Sequence, residues 1–231
     1  MPISISSTRQ GRYRVKGRCR RLLRWCNEVK RDLVMKIVQE VSLISIGSFE
    51  ESNDWCIIRT EIRNAISLIV YPPGTSSFTI NPTKHGNGVK PIKEACMIAL
   101  RDQFGWRLET RINYATKSPG KVDATKVLDN YLFALEWETG NISSSHRAVN
   151  KMVLGLLRGI FLGAALVLPS RKLYPYLTDR IGNYEELEPY FDVWRAVQIQ
   201  EGFLAIFVIE HDQVDRNVRT LTKGTDGRAL V

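Results

Sequence analysis

Glu136-Trp137-Glu138-Thr139-Gly140-Asn141-Ile142-Ser143-Ser144-Ser145-His146-Arg147 joins the end of a strand to the start of a helix. Just before it, Tyr131, Phe133 and Leu135 alternate with Leu132, Ala134 and Glu136 in a short β-prone run. Glu136 and Glu138 lie two apart, so on a strand they share a face, and Trp137 points to the other face, into a core. Gly140 breaks the strand, a polar Asn/Ser segment follows, and a periodic helix opens. Two carboxylates at a strand end beside a polar helix N-terminus suit metal-dependent phosphodiester chemistry. The carboxylates hold a hard cation, and the helix start faces a phosphate or a base edge.

Downstream, Val149, Met152, Val153, Leu156, Leu157 and Ile160 form one apolar helical stripe after Ser145. Gly155, Gly159 and Gly163 recur every four residues and permit close approach of a neighbouring helix or sheet. The run 152–168 approaches the length of a membrane span, but Arg158 and three glycines interrupt it. A helix followed by a buried strand at 164–168, ending at Pro169, accounts for it without a membrane. Residues 171–177 read as a short helix, 184–191 as an acidic helix or turn, and 203–209 as an apolar strand.

Upstream, residues 35–70 hold two apolar runs, 41–46 and 57–71. The second predicts a helix over 57–69, stopped by Pro72-Pro73-Gly74. Residues 78–80 are extended, and 83–90 form a loop with Gly86 and Gly88. Pro91 suits the first turn of a helix over 91–103, followed by a strand at 106–112. Val122-Asp123-Ala124 begins a strand or short hairpin leading to 131–138. Strands alternating with helices give an α/β or mixed α+β class, with a central mixed sheet flanked by helices.

The net charge of +9 is uneven. Of 33 basic and 24 acidic residues, ten and two lie before Met35, leaving +8 there and +1 over the remainder. Nucleic-acid binding by the body must therefore rest on a local basic patch. Residues 1–34 read as a basic, disordered extension or as a mis-called start before Met35; a DNA-binding arm and a transit peptide are the competing readings. Residues 35–231 are expected to form one domain. Cys19, Cys26, Cys56 and Cys96 show no C-x-x-C pairing, and three histidines give no zinc spacing, which predicts free thiols in a reducing cytoplasm.

Asp123, Glu136 and Glu138 form a D…E-x-E constellation, with Glu109 a fourth acid on the preceding strand. Neighbouring strands bring same-face residues together, and packed carboxylates repel unless a cation or a proton neutralises them. An all-oxygen set without histidine favours Mg²⁺ over zinc. Solvated strand-end acids are the bland alternative. Asp179-Arg180 could likewise be a surface ion pair, or a reader in which Asp179 accepts from a cytosine amino group while Arg180 grips guanine.

The order Asp, spacer, acid-x-acid resembles the restriction-endonuclease core, written Pro-Asp…(Asp/Glu)-x-Lys. Here Val122 stands at the proline position and Glu138 at the lysine position, a glutamate variant characteristic of the BamHI family. Thr79-Ile80-Asn81, Asn87-Gly88-Val89, Pro91-Ile92-Lys93-Glu94 and Glu138-Thr139-Gly140-Asn141-Ile142-Ser143-Ser144 are similar to that family's segments in order. So are His146-Arg147, Tyr176-Leu177-Thr178-Asp179-Arg180, Glu185-Glu186-Leu187-Glu188-Pro189-Tyr190-Phe191, and Lys223-Gly224 with Asp226-Gly227. The resemblance covers roughly residues 61–227.

The resemblance implies a restriction endonuclease-like fold and a Mg²⁺-dependent type II enzyme. It implies a homodimer that cuts double-stranded DNA at a GATC-containing palindrome, GGATCC by first choice, with a companion DNA methyltransferase. It further implies that Glu109, Asp123 and Glu136 are metal ligands and that Glu138 orients or deprotonates the attacking water. Asn141, Ser143, Arg147, Asp179 and Arg180 match major-groove reading positions, Lys93 a further DNA contact, and Asp226 and Gly227 a minor-groove contact. The spacer between Asp123 and Glu136 is shorter than the family's, its basic C-terminal helix has no counterpart, and residues 1–34 match nothing in it. A repair or junction nuclease of the same fold and a non-catalytic DNA-binding relative are the rival readings. His146 is read as a structural or interface residue, and His85 and His211 carry no signal.

Overall fold

The strands read from alternation become the spine of a mixed sheet. The computed structural model describes residues 35–114 and 119–224. Residues 1–34, Asp226 and Gly227 lie outside the described residues. In chain order the elements are β1 (Lys36–Ile46), α1 (Asn53–Ser67), β2 (Thr79–Ile80), α2 (Lys90–Phe104), β3 (Arg107–Arg111), β4 (Lys121–Leu128) and β5 (Tyr131–Trp137). There follow α3 (Ile142–Leu157), β6 (Phe161–Pro169), α4 (Tyr184–Leu187), α5 (Phe191–Arg195), β7 (Gly202–Glu210) and β8 (Gln213–Val214).

Six strands form one sheet in the order β1-β7-β6-β5-β4-β3, and β2 pairs with β8. The centre is parallel, β5 with β6 and β6 with β7; β1 and the β3–β4–β5 meander are antiparallel. Helix α3 is the crossover that parallel pairing of β5 and β6 requires. It leaves the C-terminal end of β5 immediately after the two glutamates.

Period-two alternation assigns the faces. Phe133, Leu135 and Trp137 pack with Ile58, Ile62 and Ile66 of α1 and with Ile92, Cys96 and Leu100 of α2. Ala134 joins the opposite layer, with Val149, Met152 and Leu156 of α3. Strands β6 and β7 are buried along almost their whole length, which explains their unbroken apolar sequence. Of the three spaced glycines, Gly155 and Gly163 serve this packing, whereas Gly159 takes a left-handed turn at φ 62° with open space around it. A Cβ on Gly155 would lie 2.1 Å from the Phe161 ring, so the glycine lets α3 seat against its own sheet.

Several boundaries differ from expectation. Helix α1 begins at Asn53 because Ser52 caps it, accepting from Trp55 N at 3.1 Å. Helix α3 begins at Ile142 because Asn141 caps it from the segment read as polar loop. Residues 171–177 are turns with one 3₁₀ turn at Tyr174–Tyr176; Pro175 supplies no N–H to continue a helix. The apolar run 41–46 is the end of β1, paired along β7.

Candidate active site

Three acidic positions fall on one row of the sheet. Extending the β3–β4 register from Leu108–Ala124 and Thr110–Val122 places Glu109 opposite Asp123. Extending the β4–β5 register from Ala124–Leu135 places Asp123 opposite Glu136. The ladder opens there: Trp137 N donates to Asp123 Oδ2 at 2.7 Å, so a carboxylate takes the backbone's partner. Glu109 sits at φ 48°, a left-handed conformation that costs a non-glycine residue about 1–3 kcal/mol.

Each acid of the row faces a lysine. Lys93 Nζ, from α2, lies 2.5 Å from Asp123 Oδ1. Lys151 Nζ, from α3, pairs with Glu136 Oε1. Glu109, 61 % exposed in its side chain, turns outward and lies 3.9 Å from Lys121 Nζ. Among the described residues, no three carboxylate, histidine or cysteine side chains are gathered into a cation cage. The ammonium groups of Lys93 and Lys151 place positive charge beside Asp123 and Glu136. Glu109, Asp123, Lys93 and Glu94 line a cleft of about 450 Å³, together with Thr139, Thr178, Lys223 and Gly224.

Glu136 and Glu138 share the α3 side of the sheet, as their spacing predicts, and both are buried. Burial pushes the Glu136 carboxyl up, and the Asp123 charge adds to the rise; Lys151 and Lys93 oppose it. Burial pushes Glu138 up to about 7, against the Ser145 hydroxyl and the backbone N–H groups of Gly140 and Thr139. Gly140 N donates to Glu138 Oε1 at 2.5 Å.

The rise has a consequence for stability. Glu138 holds its proton more tightly in the fold than in the unfolded chain, so stability is lost as pH rises from 4.5 through about 7. Glu138→Gln removes this penalty. The variant is expected to be more stable than the parent at pH 8 by on the order of 2 kcal/mol, with the gap shrinking toward pH 5. Denaturant melts at both pH values check this; a variant with no advantage at pH 8 contradicts a raised carboxyl.

The expected base-reading positions converge on the start of α3. Asn141 is its N-cap, its Oδ1 accepting from Ser144 N at 3.2 Å. Ser143 and Arg147, four apart and exposed, share a helix face, and Arg147 donates to Ser144 Oγ at 2.9 Å. The loop carrying Asp179 and Arg180 is pinned beside them: Asn141 bridges Ile181, and Gly182 N donates to Gly140 O at 2.9 Å. A Cβ on Gly182 would lie 2.1 Å from Ser145 Oγ, so any side chain here would have to displace that hydroxyl. Lys93, expected as a DNA contact, pairs with Asp123 and lines the cleft beside the carboxylates.

Two residues escaped the sequence reading. Lys151 is the buried partner of Glu136; its one signal is its place four residues after Arg147. His85 Nε2 stands 3.7 Å from Asp179 Oδ1, brought there by chain folding with no local pattern to mark it. His146 packs against Tyr190 and Trp194, with ring centroids 4.5 and 5.3 Å away, in agreement with a structural role.

Comparison with known proteins fits this geometry. The family described as restriction endonuclease BamHI matches residues 35–228. The type II restriction enzyme OkrAI of Oceanobacter kriegii is 55 % identical over 197 residues, 85 % of this chain and 100 % of that protein. The type II restriction enzyme BamHI of Bacillus amyloliquefaciens is 39 % identical over 176 residues, 72 % and 80 % of the two chains. A structure of the restriction endonuclease BGLII complexed with a DNA 16-mer aligns with a TM-score of 0.41 and 13 % identity over 58 % of this chain and 65 % of that one, too low to carry an argument. The class is thus a type II site-specific deoxyribonuclease. Within it, the chain belongs to the BamHI restriction endonuclease family. No helix among the described residues is long and apolar enough to cross a membrane.

Proposed function

We propose that this enzyme is a homodimer that cuts both strands of a GATC-containing palindrome, GGATCC by first choice, in a Mg²⁺-dependent reaction. The observation that carries the proposal is the register row of Glu109, Asp123 and Glu136, with Glu138 two residues further along β5's direction. The donors are all oxygen, and Asp123 already opposes ionisation of Glu136, so the donor chemistry suits a hard divalent cation. Glu109, Asp123 and Glu136 would hold it. When bound, Mg²⁺ polarises a phosphoryl oxygen and neutralises developing charge.

Glu138 supplies the base. Held near neutrality by burial, its carboxylate takes a proton from the attacking water. Attack on phosphorus breaks the bond to the 3′ oxygen, which leaves with the electron pair and takes a proton from solvent water, giving 5′-phosphate and 3′-hydroxyl ends. Arg147 and Arg180 each grip a guanine edge, and Asp179 accepts from a cytosine amino group. Asn141 and Ser143 complete the major-groove reading, and Asp226-Gly227 reach the minor groove. Lys93 carries positive charge toward the scissile phosphate. An enzyme of this specificity needs its own genome masked, so a companion methyltransferase of the same specificity belongs to the system, and cutting occurs in the cytoplasm.

Digestion of one plasmid of known sequence tests the proposal. Discrete fragments mapping to GGATCC are expected with Mg²⁺, and none with Ca²⁺. A smear, or an intact plasmid with Mg²⁺, contradicts it.

A further inference from the structure

Outside the acids themselves, the least explained buried charge at the site is Lys151. Its side chain is 13 % exposed, it pairs with Glu136 Oε1, and its Nζ donates to the Lys121 carbonyl at 2.5 Å. One ammonium therefore joins α3 to both β4 and β5. Its helix is the one whose first turns carry Asn141, Ser143 and Arg147. A lysine is costly to bury, and a packed apolar side chain at the same place would usually serve stability as well or better. Packing alone does not explain the choice of residue.

We propose that Lys151 is a positioning residue: the internal counter-ion of Glu136, which lowers the affinity of the DNA-free protein for a divalent cation and ties that affinity to the position of the reading helix. The inference rests on the reading of Glu136 as a cation ligand. The ammonium engages an oxygen that a cation would need, so a cation binding without DNA must work against a resident positive charge. Because Nζ is carried on α3, a shift of that helix on correct DNA moves the charge relative to Glu136. Lys93 makes the equivalent contact with Asp123 but rises from α2, which carries none of the α3 reading positions.

Titration of the intact, DNA-free protein with Mn²⁺, followed by electron paramagnetic resonance of the free ion, tests this. Lys151→Met, which keeps length and removes charge, is expected to bind Mn²⁺ about tenfold more tightly than the parent. Lys151→Arg, which keeps the charge, is expected to match the parent. A Met variant with unchanged or weaker Mn²⁺ affinity overturns the inference. If that variant does not fold, Lys151→Gln is judged by the same criterion. Glu136→Gln separates the two levels. If it binds Mn²⁺ as well as the parent does, the reading of Glu136 as a ligand fails. If it binds poorly while Lys151→Met is unchanged, only the counter-ion role fails.

Discussion

Glu138→Ala is expected to cut DNA about a thousandfold more slowly than the parent while still binding its site, the scale that loss of a positioned general base produces. Glu138 is 4 % exposed and its carboxyl is pushed up to about 7, so near neutral pH it can both accept and release a proton. The groups assigned to reading are separate side chains: Arg147 on α3, and Asp179 and Arg180 on the loop beside it. Their loop is tied to Gly140 through backbone bonds that the substitution leaves in place. Glu138→Gln, which keeps an oxygen for Gly140 N, is expected to lose the same rate. Single-turnover cleavage in Mg²⁺ and gel shifts in Ca²⁺ separate the two quantities. A variant that loses specific binding as well as cutting means that Glu138 has been assigned the wrong role.

Arg180→Ala is expected to abolish preference for the cognate palindrome. Its side chain is 85 % exposed, and its neighbour Asp179, with Oδ2 3.7 Å from Arg180 Nε, is 62 % exposed. Neither is committed to the core, so the fold should change by less than about 0.5 kcal/mol. Its φ of 63° is left-handed, and the Asn141–Ile181 bridge and the Gly182–Gly140 bond hold that shape. A bidentate contact to guanine contributes about 1–3 kcal/mol of discrimination. The proposed dimer would use it twice, giving about 2–6 kcal/mol, or a loss of roughly thirtyfold to more than ten-thousandfold in cognate binding. Non-specific binding should fall far less, with a shallower salt dependence. The check is the ratio of cognate to single-mismatch affinity at fixed salt. A variant that keeps the parent's ratio shows that Arg180 reads no base.

The two expectations concern neighbouring parts of one segment. Residues 136–138 lie at the end of β5 and carry the acids, while 141–147 open α3 and carry part of the proposed reading surface. Only a glycine turn separates them. The Glu136–Lys151 pair closes the loop, returning from the third turn of the helix to the strand. On the proposed assignment, cutting and reading are held by one strand–helix unit, and a displacement of α3 would act on both.

Much of this was legible in residue order because it depends on local periodicity. Alternation through 131–137 placed Glu136 and Glu138 on one face and Trp137 on the other, and the structure buries them that way. The spacing from Val149 to Leu156 gave α3 and its inward stripe. Residue types pointed to the proposed chemistry: an all-oxygen donor set, two arginines and an adjacent Asp-Arg pair. Family segments set in order along the chain gave the class of enzyme. What failed locally failed at caps and turns. Asn141 reads as loop by composition, yet its side chain serves the helix, and Pro175 turns an apparent helix into a 3₁₀ turn.

Sequence alone determined the central strands and the two helices α2 and α3, which of their faces are apolar and which acids belong together, since these follow from side-chain period and chemistry. Tertiary structure alone decided what stands beside those acids. The register across β3, β4 and β5 set Glu109, Asp123 and Glu136 in a row. Chain crossings carried Lys93, Lys151 and His85 to partners 30, 15 and 94 residues away in sequence. No local pattern encodes such pairings, because each is the by-product of burying two apolar layers on opposite faces of one sheet.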